Sequence, residues 1–555
     1  MMLPEPQSKT FTSIISEIET GQIKIPQFQR DFVWDIQKSA QLMDSIVKGY
    51  PIGTFIFWRT KERLRSVRNL GNITLPDPVE GEFVSFVLDG QQRLTSLFAS
   101  LKGSQIQRES GKVDDYSEIY LDLTATEDDQ IVTLEIVDKE PDSYIRLTDL
   151  LYGGFTLLAK FPERYLRLLE EYKRRIEAYN YSIVQIKEAP IDIATEIFTR
   201  INVGGKPLSV FEIMIAKTFD AEKDFDLSEK YKALIDELRP LDYETISDAT
   251  ILQTVSVILE KECQKKVILK LNKDQFIAIW DKAVDAIQRT VEYFKSFYRI
   301  PVSQLLPYNG LIIPFAYFFS KHPDKPTGDM QKRLQDFFWR VSLSGRYSSG
   351  LESKISQDIK RIDQILQNEL PKYDWPINIS EKFLIDNGWF SAGRSFIKAI
   401  LCLYTFHKPE SFNDGSLVNI SNYWLKQANS KNYHHFFPRA YLKKKGEEEF
   451  YINHVLNITI VDDYLNKREI GALAPSKYMA KFKKVNAELD KTMGTHLIGN
   501  LDEFGVWSDD YEKFFEARAV AVCKELRKRT ISQAIDDSQL MELPSEQEEA
   551  NVDDE

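Results

Sequence analysis

Cysteine is nearly absent from this chain. Cys263, Cys402 and Cys523 are far apart, odd in number and set in apolar helical surroundings, which excludes a disulfide framework or a cysteine-built zinc cluster and fits buried thiols in a reducing compartment. Long apolar runs are missing too. The longest, Leu311 to Phe319, has nine residues and is broken by Pro314, well short of the roughly 20 that a membrane helix needs. Met1 to Thr10 has no basic stretch followed by an apolar one, so neither export nor a membrane partner is expected and the expected location is cytoplasmic. No Gly-x-x-x-x-Gly-Lys-Ser/Thr segment and no paired dinucleotide glycines occur, so any nucleotide use runs through another kind of turn. Histidine is scarce, with six in 555 residues, yet two of the six are adjacent.

At 555 residues the chain exceeds what one hydrophobic core serves, and 43% hydrophobic, 12% aromatic and 28% charged residues make it an ordinary multidomain globular sequence. Its net charge is −12, but Asp536 to Glu555 holds nine acidic residues and no Lys or Arg, which leaves −3 for everything before it. The acidity is mostly a tail property and does not exclude a polyanionic partner, for which local balance decides. From Lys426 to Lys491 there are thirteen Lys and Arg against eight Asp and Glu, with Lys443-Lys444-Lys445 and Lys481, Lys483 and Lys484 following the paired histidines.

Periodicity divides the chain. Residues 1–225 alternate strand-like runs, at Gln22 to Ile25, Gly53 to Trp58, Phe83 to Leu88, Glu118 to Leu123, Ile131 to Val137 and Tyr181 to Ile186, with helices. Asp35 caps one helix, Gln91 opens a second, and Ser209 with Glu212 forms a capping box for a third. Residues 226–425 are almost purely helical, with Phe276, Trp280, Val284, Ile287, Val291 and Phe294 on one face. This part reads as a helical connector or sensing body without a chemical motif, and Ser344 to Gly350 within it reads as a surface turn. Residues 426–535 return to short strands and basic helices, and residues 536–555 read as an acidic disordered tail. The fold class is multidomain α+β.

Two segments carry chemistry. Tyr433-His434-His435-Phe436-Phe437-Pro438 puts two imidazoles next to each other at a strand end, where successive side chains face opposite ways. Different roles are therefore expected for them, and hydrolysis of a phosphodiester, which needs an activated water and a divalent metal, is a chemistry a histidine can serve. His454 is a spare imidazole nearby and reads as structural. Val87-Leu88-Asp89-Gly90-Gln91-Gln92-Arg93 runs from an apolar strand through a turn into a helix start, a place where backbone donors favour an anion. Gly90 permits a positive φ, Arg93 offers a phosphate contact, Asp89 can orient water or magnesium, and Gln91 or Gln92 can position a nucleophile or base edge.

His434-His435-Phe436-Phe437-Pro438, then Leu456-Asn457-Ile458-Thr459, then Asn466-Lys467 resembles the HNH (His-Me finger) nucleases, in the variant found at the C-terminus of GmrSD-type modification-dependent (type IV) restriction enzymes. The resemblance implies a ββα-metal fold with His435 as general base, Asn457 fixing the loop and the histidine, and His434 and Asn466 as metal ligands. Many such sites carry a carboxylate where His434 stands, which leaves the choice between Mg²⁺ and Mn²⁺ open. Ile25 to Trp34, the Asp-Gly-Gln-Gln-Arg turn, and Phe198 to Asn202 with Leu208-Ser209 resemble the N-terminal domain of the same proteins. That domain is similar to the ParB/sulfiredoxin α/β fold, whose Gly-x-x-Arg turn binds nucleotide phosphates. By that resemblance Asp89, Gly90, Gln91, Gln92 and Arg93, with Arg30, are the nucleotide-binding residues. The implied function is an NTP-dependent or NTP-regulated endonuclease that cuts modified foreign DNA in phage defence, with a divalent metal and a nucleoside triphosphate as cofactors and homo-oligomerisation left open. Two other readings stand beside it: a nucleotide-gated DNA-binding regulator with a vestigial nuclease domain, and an NTP-independent HNH nuclease.

Overall fold

The computed structural model describes residues 4–26, 32–61, 69–70, 73–77, 79, 81–108, 112–126, 129–136, 139–201, 209–220, 222–420, 433–461 and 470–544. The chain forms two compact units, Met1–Leu227 and Ser228–Glu555, and among the described residues no helix is long and apolar enough to cross a membrane.

The first unit is built on a mixed five-stranded sheet. Its strands are β1 (Glu5–Thr10), β2 (Ile23–Lys24), β3 (Phe55–Thr60), β4 (Val84–Asp89) and β5 (Asn180–Lys187), in the spatial order β1-β5-β3-β4-β2. β1 runs antiparallel to β5 and β3 antiparallel to β4, while the β5/β3 and β4/β2 pairs are parallel. Both faces are buried, so the alternation within each strand sorts side chains between two cores. Phe55, Phe57, Val87, Tyr181 and Ile183 enter the larger core, which includes helices α1 (Phe11–Glu19), α2 (Ile36–Val47) and α3 (Gln91–Lys102). Trp58, Val84, Phe86, Leu88 and Ile186 enter a smaller core with Ile191, Ala194 and Ala216. The Asp35 cap and the Ser209–Glu212 capping box form as the sequence predicts, Asp35 Oδ1 accepting from Lys38 N at 2.7 Å and Ser209 Oγ accepting from Glu212 N at 3.1 Å. β1, α1 and the helix Glu163–Glu177 have no counterpart in the expectations.

In the second unit, long helices pack around an aromatic interior. Phe276, Trp280, Ile287, Val291 and Phe294 are buried as their spacing predicts, and Phe294 meets Phe315 and Phe338 edge-on at 4.9 and 5.9 Å between ring centres. The Ser344–Gly350 segment corrects the surface-turn expectation: Tyr347 is fully buried, and Arg346 and Ser348 nearly so. Arg346 donates to Asp358 at 2.8 Å, lies over the Trp375 ring at 3.7 Å, and shares Asp358 with Arg361. A charged side chain is seldom buried unless paired, and the partners here come from 12 and more residues away along the chain.

The acidic tail also begins later than charge alone suggests. Asp536 receives a two-pronged contact from fully buried Arg340, at 2.8 Å from Nη1 and 2.7 Å from Nη2, and accepts from Ile377 N at 3.0 Å. Asp336 joins the cluster by accepting from Ile531 N at 2.7 Å. Residues 531–536 are therefore part of the folded helical unit, held by a charge cluster that is paired on every side.

Candidate active site

The paired histidines lie on β6 (Tyr433–His435), which is antiparallel to β7 (Ile458–Ile460) with His434 opposite Thr459 and His435 opposite Ile458. Pleating sends the two imidazoles to opposite faces, as the adjacent spacing predicts. His434 is 2% exposed, with the Phe412 and Tyr478 rings both edge-on at 6.3 Å. His435 is half-buried, and its Nε2 lies 3.0 Å from Asn453 Oδ1. Burial, opposed by the Asn453 hydrogen bond, and the Arg439 charge, opposed by Glu449, hold this imidazole below its ordinary value. It is therefore neutral near pH 7 and able to accept a proton.

Asn457 is fully buried and fastens the turn behind the histidines. Its Oδ1 accepts from Phe437 N at 2.8 Å, and its Nδ2 donates to Phe437 O and Ile452 O, both at 3.0 Å. Its backbone oxygen accepts from Phe436 N at 2.8 Å. Phe436 stacks on Phe514 at 4.9 Å, and Tyr478 OH donates to the Phe436 carbonyl. The loop half of the role expected of Asn457 has this geometric counterpart, whereas the hydrogen bond to the His435 ring comes from Asn453.

Asn453 was missed by sequence reasoning because an asparagine just after the short helix Glu449–Ile452 reads as an ordinary helix end. The one available signal was its position four residues before Asn457 on the same short segment. His454 beside it is structural: Nδ1 accepts from Leu456 N at 3.1 Å and Nε2 faces Ile385 O at 3.0 Å. A Cβ on Gly388 would collide with its ring.

The helical body supplies a wall of this site. Gly388 O accepts from Val455 N at 2.8 Å, Phe390 N donates to Asn453 O at 2.9 Å, and the Phe390 and Tyr433 rings meet at 4.9 Å. Beside it lies a basic helix, Pro475–Val485, which buries Tyr478, Met479 and Phe482 and exposes Lys477, Lys481 and Lys484 at helical spacing. Arg439 and Lys443, by contrast, are both paired with Glu449.

Of the two residues expected to hold a divalent ion, His434 is the buried imidazole on β6, and Asn466 lies outside the described residues. Among the described residues no group of three or more His, Cys, Asp or Glu is arranged to hold a metal ion. Imidazole and carboxamide are neutral donors, a set that suits a loosely held ion whose remaining positions are filled by water or phosphate.

The Asp-Gly-Gln-Gln-Arg turn forms at the expected place. Gly90 has φ +89° and precedes α3, whose first backbone bond runs from Leu94 N to Gly90 O at 2.8 Å. Arg93 turns back onto the sheet: Nη1 donates to Ile52 O at 2.8 Å, and Nη2 to Thr54 O at 3.0 Å and to Asp89 Oδ2 at 3.2 Å. Gln92 Oε1 accepts from Val33 N at 2.9 Å and Trp34 N at 3.2 Å. Asp89, Gly90, Gln92 and Arg93 are thus brought together as one braced, half-exposed turn. Arg30 lies outside the described residues.

Residues 11–219 match the family model described as the GmrSD restriction endonuclease, N-terminal domain. The match runs from the first residue of α1 to just beyond the helix that the Ser209–Glu212 box opens. An uncharacterized protein of Methanocaldococcus jannaschii is 26% identical over 542 residues, an alignment that takes in 88% of this chain and 88% of that protein.

Proposed function

We propose that this protein is a DNA endonuclease of the modification-dependent restriction type, acting in defence against foreign DNA. The observation that carries the nuclease reading is His435: a neutral, half-buried imidazole on a two-stranded hairpin, tethered through Nε2 and followed by a turn that Asn457 locks. The match of residues 11–219 supports the restriction context. In this reading His435 takes a proton from the attacking water, and Asn457 keeps the Phe436–Pro438 turn from shifting the strand that carries the base. A divalent ion bound by His434 and Asn466 would stabilise charge on the phosphate. The exposed lysines of the Pro475–Val485 helix would meet the DNA backbone.

The N-terminal turn is the place for a nucleoside triphosphate. With the Arg93 guanidinium directed to Ile52, Thr54 and Asp89, phosphate would be met by the backbone at the α3 N-terminus and by Arg30. The same bracing favours a second reading, an HNH nuclease that needs no nucleotide. The test is a panel of unmodified, methylated, glucosylated and phosphorothioate DNAs, each with Mg²⁺ or Mn²⁺ and with or without each NTP, using wild type and His435→Ala. Cleavage of a modified substrate by wild type alone is the expected result. Equal rates with and without NTP select the second reading, and no cleavage of any substrate refutes both.

A further inference from the structure

The contact between His435 and Asn453 carries more than a tether. A carboxamide has an acceptor end and a donor end, so which end faces a histidine determines where the ring proton sits. Here the other partner fixes the direction. Asn453 Nδ2 donates to the Phe390 carbonyl at 3.2 Å, and the Asn453 backbone oxygen accepts from Phe390 N at 2.9 Å, so the residue is clamped to Phe390 at two points. Reversing the amide would set Oδ1 against the Phe390 carbonyl, two acceptors face to face, and lose that bond. Oδ1 therefore faces His435 Nε2, and a bond of 3.0 Å between them requires Nε2 to carry the hydrogen. In a neutral imidazole the other nitrogen then holds the lone pair.

We infer that Asn453 is a positioning residue that holds His435 in the Nε2–H tautomer, leaving Nδ1 as the nitrogen that receives the proton of the attacking water. The inference rests on the nuclease reading for its chemical role, though not for the tautomer itself. In the reaction a water O–H bond breaks and an Nδ1–H bond forms, while the water oxygen bonds to phosphorus. The bond from phosphorus to the leaving oxygen breaks, and that oxygen takes a proton from solvent. His435 is then an imidazolium whose Nε2–H still points at Asn453 Oδ1, so the amide stabilises the charged form without moving. The clamp to Phe390 also makes the helical body, rather than the hairpin alone, the reference frame for the base.

The experiment uses the full chain, labelled with ¹⁵N-histidine, in wild-type, His435→Ala, Asn453→Leu and Asn453→Asp forms. His435→Ala assigns the ring signals, and their ¹⁵N shifts distinguish the two neutral tautomers. The expected result is Nε2–H in wild type, a mixture in Asn453→Leu, and Nε2–H in Asn453→Asp, where a carboxylate oxygen still accepts and the backbone bond from Phe390 N still holds the residue although the donor to the Phe390 carbonyl is lost. Turnover should fall about a hundredfold in Asn453→Leu and recover to within about tenfold of wild type in Asn453→Asp, with KM for DNA changed by less than about twofold throughout. An Nδ1–H tautomer in wild type overturns the inference, as does an Asn453→Leu protein with unchanged tautomer and turnover. Should Asn453→Leu fail to fold, wild type and Asn453→Asp still decide the tautomer. A wild-type protein that cuts no DNA removes the nuclease reading and leaves the tautomer assignment to stand or fall on its spectrum.

Discussion

Two buried histidines should make the second unit acid-sensitive in a measurable way. His454 is fully buried and His496 is 2% exposed, and burial pushes each down to about 4 from an ordinary 6.5. His454 Nδ1 accepts the Leu456 N–H, which suits a neutral ring, while for His496 burial outweighs the contact of Nε2 with Glu410 O at 2.7 Å, which favours the charged form. Because the folded value lies below the unfolded one, the unfolded chain binds more protons between the two. The stability they contribute is fully present above about pH 6.5 and drains away as pH falls toward about 4. At about pH 5 each shift corresponds to about 2 kcal/mol, so the pair should cost the unit about 4 kcal/mol relative to about pH 7.5. The perturbation is His454→Gln and His496→Gln, singly and together, with stability measured by urea titration at both pH values and hydrogen exchange followed on the peptide spanning residues 452–461. Each substitution should reduce the wild-type loss by about 2 kcal/mol and the double variant should reduce it by about 4 kcal/mol, whatever the substitutions do to stability at neutral pH. His407, also lowered by burial, acts in the same direction but cancels in the comparison between variants. A double variant that loses as much stability as wild type on acidification would refute the reasoning.

Three further outcomes are expected. Asn457→Ala leaves the Phe437 N–H, Phe437 C=O and Ile452 C=O without the partner they have now and should destabilise the unit by about 3 kcal/mol or more, read by urea titration; a loss under about 1 kcal/mol would mean the turn is held by other contacts. Gly53→Ala adds a Cβ that collides with Arg93 Nη1 at a residue with φ +87°, so a cost of about 1–3 kcal/mol and loss of any nucleotide effect on cleavage are expected, by thermal melting and the NTP comparison. Replacing Lys477, Lys481 and Lys484 together with alanine, in a His435→Ala background, should reduce the slope of log affinity against log salt for duplex DNA by about 2 to 3; an unchanged slope in fluorescence anisotropy would place the DNA elsewhere.

What could be read from the sequence was local. Asp35, Gly90 and the Ser209–Glu212 box each act within four residues, and each was legible for that reason. The alternation of His434 and His435 follows from strand geometry alone, and so did their separation onto two faces. β1 was invisible because Glu5–Thr10 has no buried position among its six residues; it is a strand only because β5 offers an edge to pair with. Arg346 looked like a loop residue because its partners, Asp358 and Trp375, are fixed by helix packing rather than by spacing. Asn453 is the instructive case. Its role depends on which end of its amide Phe390 accepts, and Phe390 lies 63 residues earlier in a segment that carries no motif. Of the predicted sites, Arg30 and Asn466 lie outside the described residues, and the wiring of Arg93 into Ile52 and Thr54 had no trace in the sequence.

The cluster of Arg340, Asp336 and Asp536 has a consequence for how the protein comes into being. Arg340 and Asp536 are 196 residues apart, so during synthesis at about 5–20 residues per second the guanidinium waits roughly 10 to 40 s for its second carboxylate. The strands that carry His434 and His435 end at Ile460, 120 residues after Arg340, so over the last 76 residues of that interval the hairpin has been made while Arg340, buried in the helix Gly328–Leu343, still lacks Asp536. Completion of the helical unit is thereby timed to the arrival of residues 531–536. A polypeptide that stops short of them would have every residue of the hairpin but would lack the Ile531 and Asp536 contacts that pair Asp336 and Arg340.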